Sequence, residues 1–215
     1  MNTKTLPADD AVTQFPVTID DDATPIVRLI GRTLRDAARL GHAPDVLGRA
    51  SGTVAVRSHT TPQAATVTFS GGTVAVTGGV FAPTDATVLV DLDNRFAQKG
   101  SDGDFELAAA AVRVLQIPLV EWVEAAARFW EITRDVPGMP DVLVAVAAGP
   151  GGREEARFGS GPSTYRIVGT SDALAGLFTG ADFLLTALER GLRVQGTMAQ
   201  LSTMTAASWK ARYDV

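Results

Sequence analysis

The chain has 215 residues, of which 46% are hydrophobic and 20% are charged, and its net charge is −5. This length allows one ordinary domain or two small ones, and the acidic charge argues against nucleic acid as a partner, because phosphate binding needs a dense basic surface. The absence of cysteine excludes disulfides and thiolate metal sites and is typical of proteins in the reducing cytoplasm.

The chain begins with a polar, acidic segment. Residues 1–23 contain five aspartates and few residues to bury, so they predict a flexible arm without a signal peptide. A helix is predicted to begin at Pro25 with Thr24 as its N-cap. Gly41 ends this helix, and Pro44 is expected to prevent it from resuming.

Four arginines of this predicted helix lie on one face, because they are spaced by four, three and four residues: Arg28, Arg32, Arg35 and Arg39. A solvated helix face with acidic neighbours explains this stripe. The alternative is contact with an anionic lipid surface, a carrier protein or a ligand carboxylate.

The middle of the chain predicts short strands rich in valine and threonine at 53–57, 65–69, 73–77 and 86–92. Ser70, Gly71 and Gly72 predict a hairpin between the second and third of them. Helical periodicity follows at 104–114 and 118–134. Further strands are predicted at 141–147, 154–158 and 164–168.

The carboxyl-terminal part predicts two short apolar helices, at 173–178 and 183–188, then a strand at 191–196 and a last helix. A helix without a polar face must bury both of its sides. A thin layer of such helices over a sheet leaves an apolar gap that can bind a lipid-like molecule. The outer side of the helices must then be covered by a ligand, a partner or the other repeat.

The side chains expected to bind a ligand in this gap are large and apolar. They are Leu174, Leu177, Phe178, Phe183, Leu184, Leu188, Met198, Leu201, Met204 and Trp209. Ordinary core packing is the alternative for each of them, because aromatic and methionine side chains at helical spacing are common in cores.

Two aspartates are the candidates for chemistry. Asp91 and Asp93 lie at the end of a predicted strand, and either could serve as an acid or base if it faced an apolar cavity. Surface acids at a strand end are the alternative. Their spacing to later acids does not match a calcium loop, so neither a metal nor a cofactor is predicted.

The two halves of the sequence resemble each other at a shift of 78 residues. Asp104-Phe105 aligns with Asp182-Phe183, and Val88-Leu89-Val90 aligns with Arg166-Ile167-Val168. With one inserted residue, Trp130 aligns with Trp209. The pattern predicts an internal duplication, in which the helix at 118–134 closes the first copy and can also open the second.

Residues 163–206 resemble the sterol carrier protein 2 (SCP2-like) lipid-binding family. The resemblance is carried by the strand that exits at Gly169-Thr170-Ser171-Asp172, by the Leu-x-x-Leu-Phe-x-Gly helix from Leu174 to Gly180, and by Gly-Leu-Arg-Val-Gln-Gly from Gly191 to Gly196. The resemblance implies a five-stranded, mostly antiparallel sheet covered by helices, with an apolar tunnel between the layers. Members of the family bind sterols or fatty acyl chains and usually catalyse no reaction.

The sequence therefore predicts an α+β protein with a mostly antiparallel sheet covered by helices, SCP2-like and internally duplicated. Its parts are an arm at 1–23 and repeats at 24–134 and 135–215, the two repeats being separate or one compact double unit. The predicted function is binding of a hydrophobic small molecule (sterol, acyl chain, terpenoid or polyketide). The alternatives are a cyclase, isomerase or hydrolase that uses the same cavity, and a homodimerisation module. Because no apolar run approaches the ~20 residues of a membrane span, the predicted location is the cytoplasm.

Overall fold

The computed structural model describes residues 15–214. They form seven helices and ten strands, and the strands are arranged in two sheets. Five of the eight strand pairs are antiparallel, and helices pack on both sheets. The fold class is therefore α+β with mostly antiparallel sheets, as predicted. None of the described helices has the length and the apolarity needed to cross a bilayer.

The first sheet has six strands in the order β1-β4-β3-β2-β5-β6. They are β1 (Val17–Ile19), β2 (Ser51–Ser58), β3 (Ala64–Ser70), β4 (Val74–Gly78), β5 (Ala86–Asp91) and β6 (Ala97–Gly103). Its helices are α1 (Pro25–Arg39), α2 (Pro44–Arg49) and α3 (Phe105–Leu115). Alternate residues of β3, β4 and β5 are buried, so one face of this sheet packs on the apolar sides of the helices.

The second sheet has four strands in the order β10-β9-β7-β8. They are β7 (Val142–Gly149), β8 (Gly152–Gly159), β9 (Thr164–Gly169) and β10 (Arg193–Gln195). Its helices are α4 (Trp122–Thr133), α5 (Ser171–Phe178), α6 (Leu184–Glu189) and α7 (Met198–Tyr213). Thr170 caps α5, because its Oγ1 accepts a hydrogen bond from the Ala173 backbone N–H at 3.1 Å.

The buried residues form two main cores that divide near Pro118. The first core contains residues up to Leu115 with Ile117 packed against it, and the second begins with Leu119 and Trp122. Helix α4 therefore belongs to the second core, whereas the expected boundary at residue 134 places it in the first repeat. We call residues 15–117 the first unit and residues 119–214 the second unit.

Three local features differ from the sequence-based expectation. Residues 17–19 of the expected flexible arm form β1, which pairs in parallel with Val74–Val76, while residues 1–14 of that arm lie outside the described residues. Pro44 does not end helical structure but starts α2, because proline fits the first helical position. Strand β6 was missed since its sequence, AQKGSDG, has no alternating apolar residues.

The two sheets share one strand arrangement. In each sheet, a hairpin strand (β2 or β7) pairs antiparallel with the next strand and parallel with a later one (β5 or β9). The shift of 78 residues relates β5 to β9. It does not relate the helices: Asp104 caps the helix that follows β6, whereas Asp182 precedes a helix between β9 and β10. Likewise, Trp130 lies before the second sheet and Trp209 after it.

Candidate functional site

A cavity with a volume of about 310 Å³, the larger of the two described below, lies between the two units. Helix α1 and the β5–β6 turn line it from the first unit, and α4, the end of α5 and α7 line it from the second. The linker between the units, from Ile117 to Val120, forms part of the wall. The cavity thus exists only where the units meet, and its volume falls in the range of small-molecule sites, about 300–1,000 Å³.

Much of the cavity wall is apolar and buried. Leu29, Leu92, Phe96, Leu115, Ala125 and Phe178 line it and are all at least nine-tenths buried. Ile117, Leu119, Val120 and Ile132 are half-buried parts of the same wall. Such a wall favours an apolar ligand, because burying apolar surface is the main favourable contribution to binding.

The β5–β6 turn reaches the cavity in an unusual backbone conformation. Arg95 and Phe96 are consecutive non-glycine residues with positive φ, 50° and 58°, a conformation that costs free energy for residues with a Cβ. The backbone of Phe96 is fixed by Gln116, whose Nε2 donates to its carbonyl at 3.0 Å. The turn therefore places Phe96 in the wall and sends Arg95 towards the second unit.

Arg95 joins the two units through two carboxylates. Its Nε and Nη2 donate to Asp182 at 3.1 and 2.6 Å, and its Nη1 and Nη2 donate to Asp172 at 3.0 and 2.9 Å. Asp182 is 5% exposed. These hydrogen bonds raise the pKa of Arg95 above its ordinary value and lower that of the Asp172 carboxyl. Paired guanidinium and carboxylate groups of this geometry fix orientation as well as charge.

Arg212 joins the units a second time, through backbone carbonyls. It is 1% exposed, and it donates to the carbonyls of Gly180 at 2.9 Å, Ala181 at 2.8 Å and Leu92 at 2.6 Å. Within the described part of the chain, its Nε has no hydrogen-bond partner and no carboxylate lies within 4.0 Å of it. A buried cation without a counter-ion is costly, and Arg212 lines the cavity.

One carboxylate near the cavity is shared by three arginines. Asp36 lies 3.4 Å from Arg32, 3.0 Å from Arg39 and 3.5 Å from Arg128. Burial lowers the pKa of the Arg32 guanidinium, Asp36 opposes this effect, the charges of Arg128 and Arg212 add to it, and Asp214 opposes it more weakly. Positive charge therefore accumulates on this side of the cavity.

The arginine stripe of α1 does not form one solvated face. Arg32 and Arg39 line the cavity, whereas Arg28 donates to the carbonyl of Ala23 at 3.1 Å and Arg35 to that of Val17 at 3.3 Å. The Arg32 side chain is 14% exposed. The solvated-face interpretation is thus wrong for Arg32, because α4 and α7 cover that side of the helix.

A smaller cavity of about 50 Å³ lies beside the first one and is lined by Asp93, Phe183, Tyr213 and Arg212, among others. The Arg212 guanidinium stacks over the Phe183 ring, with its carbon 4.1 Å from the ring centre. Trp209 and Tyr213 surround the same ring, at centroid distances of 6.1 and 6.4 Å. This aromatic cluster shields the buried cation from water.

The predicted ligand-binding residues are mostly core residues of the second unit. Leu174, Leu177, Phe178, Leu184 and Met204 are buried in its core, Leu188 and Leu201 pack against that core, and Met198 and Trp209 are exposed. Of the ten predicted residues, Phe178 lines the larger cavity and Phe183 the smaller.

The predicted residues are core residues instead of cavity residues because the helical layer over the second sheet is not thin. Helix α4 packs on α5, with the Phe129 and Phe178 rings 5.2 Å apart. Helix α7 contacts both α5 and α6. The outer sides of the short apolar helices are therefore covered by protein, and the gap expected beneath them lies instead between the units.

The two candidate acids lie away from the larger cavity. Asp91 is 4.0 Å from His59 and 3.6 Å from Lys99, and its Oδ1 accepts a hydrogen bond from the Asp93 backbone N–H at 3.1 Å. Asp93 is exposed and borders only the smaller of the two cavities. Among residues 15–214, no group of three or more histidine, aspartate or glutamate side chains is placed to hold a metal ion.

Among known proteins, a solved structure shows a weak similarity to this chain. No family model matches the chain, and no curated protein matches it. A solved structure described as "UbiJ-SCP2 Ubiquinone synthesis protein" is similar to it with 18% identity and a TM-score of 0.28. The similarity covers 41% of this chain and 82% of that one. At these values it provides no basis for transferring a function.

Proposed function

We propose that this chain binds a hydrophobic small molecule in the cavity between its two units. The observation that carries the proposal is the wall itself: buried apolar side chains from α1, α4, α5 and the β5–β6 turn surround a volume of about 310 Å³. The sterol, acyl-chain, terpenoid and polyketide classes all remain candidates. The SCP2-like resemblance of residues 163–206 points to the same kind of ligand.

The contacts between the units support a cavity that persists rather than collapses. The Arg95 ion pairs connect the β5–β6 turn to Asp172 in α5 and to Asp182 between α5 and α6. Arg212 of α7 donates hydrogen bonds both to that turn and to the segment between α5 and α6. A wall held in this way keeps its shape before a ligand arrives, which lowers the ordering cost of binding. At roughly 25 cal/mol per Å² of buried apolar surface, such a site supports micromolar binding without catalytic groups.

The enzyme alternative rested on Asp91 or Asp93 as an acid or base in the wall of the ligand cavity. Neither residue lines the larger cavity, whose acidic lining residues are Asp36 and Glu124. The homodimer remains a prediction. Leu185, Met198 and Trp209 are more than half exposed on α6 and α7 and would supply its contacts. Location in the cytoplasm also remains a prediction.

Native mass spectrometry of protein purified without detergent tests the proposal. We expect a co-purified apolar molecule, or binding of one from a lipid panel accompanied by a raised melting temperature. The same spectrum reports whether the chain is a monomer or a homodimer. Protein that carries no ligand, unfolds cooperatively and shows no melting shift across the panel would contradict the proposal.

A pair of tryptophan variants shows whether the ligand lies between the units. Val120→Trp adds bulk to a half-buried wall residue and should reduce ligand retention, because the side chain takes up cavity volume. Leu185→Trp is the control, since Leu185 is 58% exposed and lies outside the cavity. Equal retention by both variants would place the ligand elsewhere.

A further inference from the structure

The cavity wall is apolar, but its charges are not balanced. Arg32, Arg39, Arg128 and Arg212 line it together with the acids Asp36 and Glu124. Arg95 also lines it, and its charge is offset by Asp172 and Asp182. The described lining therefore has two more positive than negative charges outside the Arg95 pairs. This local excess of positive charge is unexpected in a chain whose net charge is −5, and an anionic ligand would balance it.

The arginines are arranged from the mouth to the interior. The side chains of Arg39 and Arg128 are 48% and 44% exposed, that of Arg32 is 14% exposed, and Arg212 is 1% exposed. The apolar residues Leu29, Phe96 and Phe178 are almost fully buried. A molecule in the cavity would thus meet guanidinium groups near the opening and an apolar wall along its length.

The hydrogen-bonding capacity of these arginines is not used up. Asp36 offers one carboxylate to three guanidinium groups, and the distances of 3.4 and 3.5 Å to Arg32 and Arg128 are long for charge-assisted hydrogen bonds. The Nε of the buried Arg212 has no partner among the described residues. Desolvated cations with free donors favour the approach of an anion.

We propose that the ligand is an amphipathic anion, whose carboxylate or phosphate binds Arg32 and Arg128 while its apolar chain lies along the buried wall. This inference rests on the proposed function and narrows its ligand class. The charge of the buried Arg212, which also lines the cavity, adds to the attraction. An uncharged alcohol of the same chain length has the apolar contacts but not the ion pairs.

The test is calorimetric titration of the full chain with decanoate, decyl phosphate and 1-decanol, with inorganic phosphate as a competitor. Because hydrogen bonds to charged groups contribute more than neutral ones, we expect the two anions to bind at least about tenfold more tightly than the alcohol. Inorganic phosphate should displace decyl phosphate only at a large excess, since it lacks the chain.

Variants assign the preference to the named arginines. Arg32→Met and Arg128→Gln should each reduce the ratio of anion to alcohol affinity several-fold. Arg128 is 44% exposed, so its replacement tests the proposal even if Arg32→Met fails to fold. Arg35→Gln is the matched control, because Arg35 lies on the same helix outside the cavity and should keep the wild-type ratio.

Equal affinity for decanoate and decanol in the wild type would overturn the inference and leave the proposed function intact. An unchanged ratio in Arg128→Gln would overturn the assignment of the anion to that residue. If decanoate, decyl phosphate and 1-decanol all fail to bind, the proposed function is wrong and so is the inference that rests on it. If inorganic phosphate has the same affinity as decyl phosphate, the apolar chain contributes nothing to binding. That result would support an anion site and overturn the apolar site.

Discussion

Gly176 lacks a side chain at a position where the carboxylate of Asp182 needs the space. A Cβ at residue 176 would overlap that carboxylate and lie 2.7 Å from Nη2 of Arg95. The glycine lies inside α5, where alanine would ordinarily favour the helix by about 1 kcal/mol. Glycine makes the helix less stable than alanine would, but it leaves room for the buried ion pair between Arg95 and Asp182.

Gly176→Ala should therefore destabilise the protein although it improves helix propensity. We expect the free energy of unfolding to fall by about 1–3 kcal/mol, the usual cost of overpacking, as measured by urea denaturation. Gly149→Ala is the control, because a Cβ there meets no atom within 4 Å. A Gly176→Ala protein as stable as the wild type would show that the Arg95–Asp182 pair does not need this close approach.

Single residues were predictable where their partners are close in sequence. Thr170 and Asp104 are residue types typical of N-caps, and each accepts a hydrogen bond from a backbone N–H three residues away. Arg212 was not predictable, because its carbonyl partners are 32 and 120 residues distant. Arg95 is 87 residues from Asp182. These two arginines have no local pattern that distinguishes them from surface residues.

An aspartate side chain accepts two hydrogen bonds just before an internal strand in each of the two sheets. Asp85, just before β5, accepts hydrogen bonds from the backbone N–H and hydroxyl of Thr53 at 2.7 and 2.9 Å. Asp141, just before β7, accepts equivalent bonds from Ser163 at 2.9 and 2.7 Å. The backbone hydrogen bonds, followed by those from the hydroxyls, lower the pKa of both carboxyls. The two sheets thus fix the register of their parallel strand pairs alike.

Stability should consequently fall in acid through these two residues. Their folded-state pKa values are lower than the unfolded value of about 4. The stabilisation is therefore present above that pH and is lost as the pH falls through the folded-state values. The double variant Asp85→Asn/Asp141→Asn should lose less stability than the wild type between pH 7 and pH 3, measured as the shift of the urea midpoint.

Asp21→Asn is the control for this comparison, because Asp21 is exposed and makes no hydrogen bond to any described residue. It should retain the wild-type loss of stability. An equal loss in the double variant and the wild type would mean that other acids account for the pH dependence.

At the level of elements, the sequence predicted most strands and helices because their apolar spacing is local. The valine- and threonine-rich strands β2 to β5 and the β3–β4 hairpin were confirmed. Strand β6 depends on backbone pairing with β5 rather than on apolar side chains. Trp122 and Phe129 lie seven residues apart on one face of α4, a spacing typical of buried residues, but this spacing does not show that they pack in the second core.

At the scale of the whole molecule, the proposed ligand site follows from how the two units meet. The sequence predicted an apolar site but placed it beneath α5 and α6. Helices α4 and α7 cover those helices and leave the cavity beside them. Only Phe178, at the end of α5, lies both in the predicted set and in the wall of the larger cavity. The packing of two units is long-range information that periodicity and spacing do not contain.

Photolabelling with a decanol analogue that carries a terminal diazirine tests the central claim, that the ligand lies between the units. After irradiation and digestion, mass spectrometry identifies the labelled peptides. We expect labels from both units, on the linker Ile117–Val120 and around Phe178 and Leu29. Labels confined to Leu174, Leu184, Met204 and their neighbours in the second core would contradict the claim and place the ligand beneath α5 and α6.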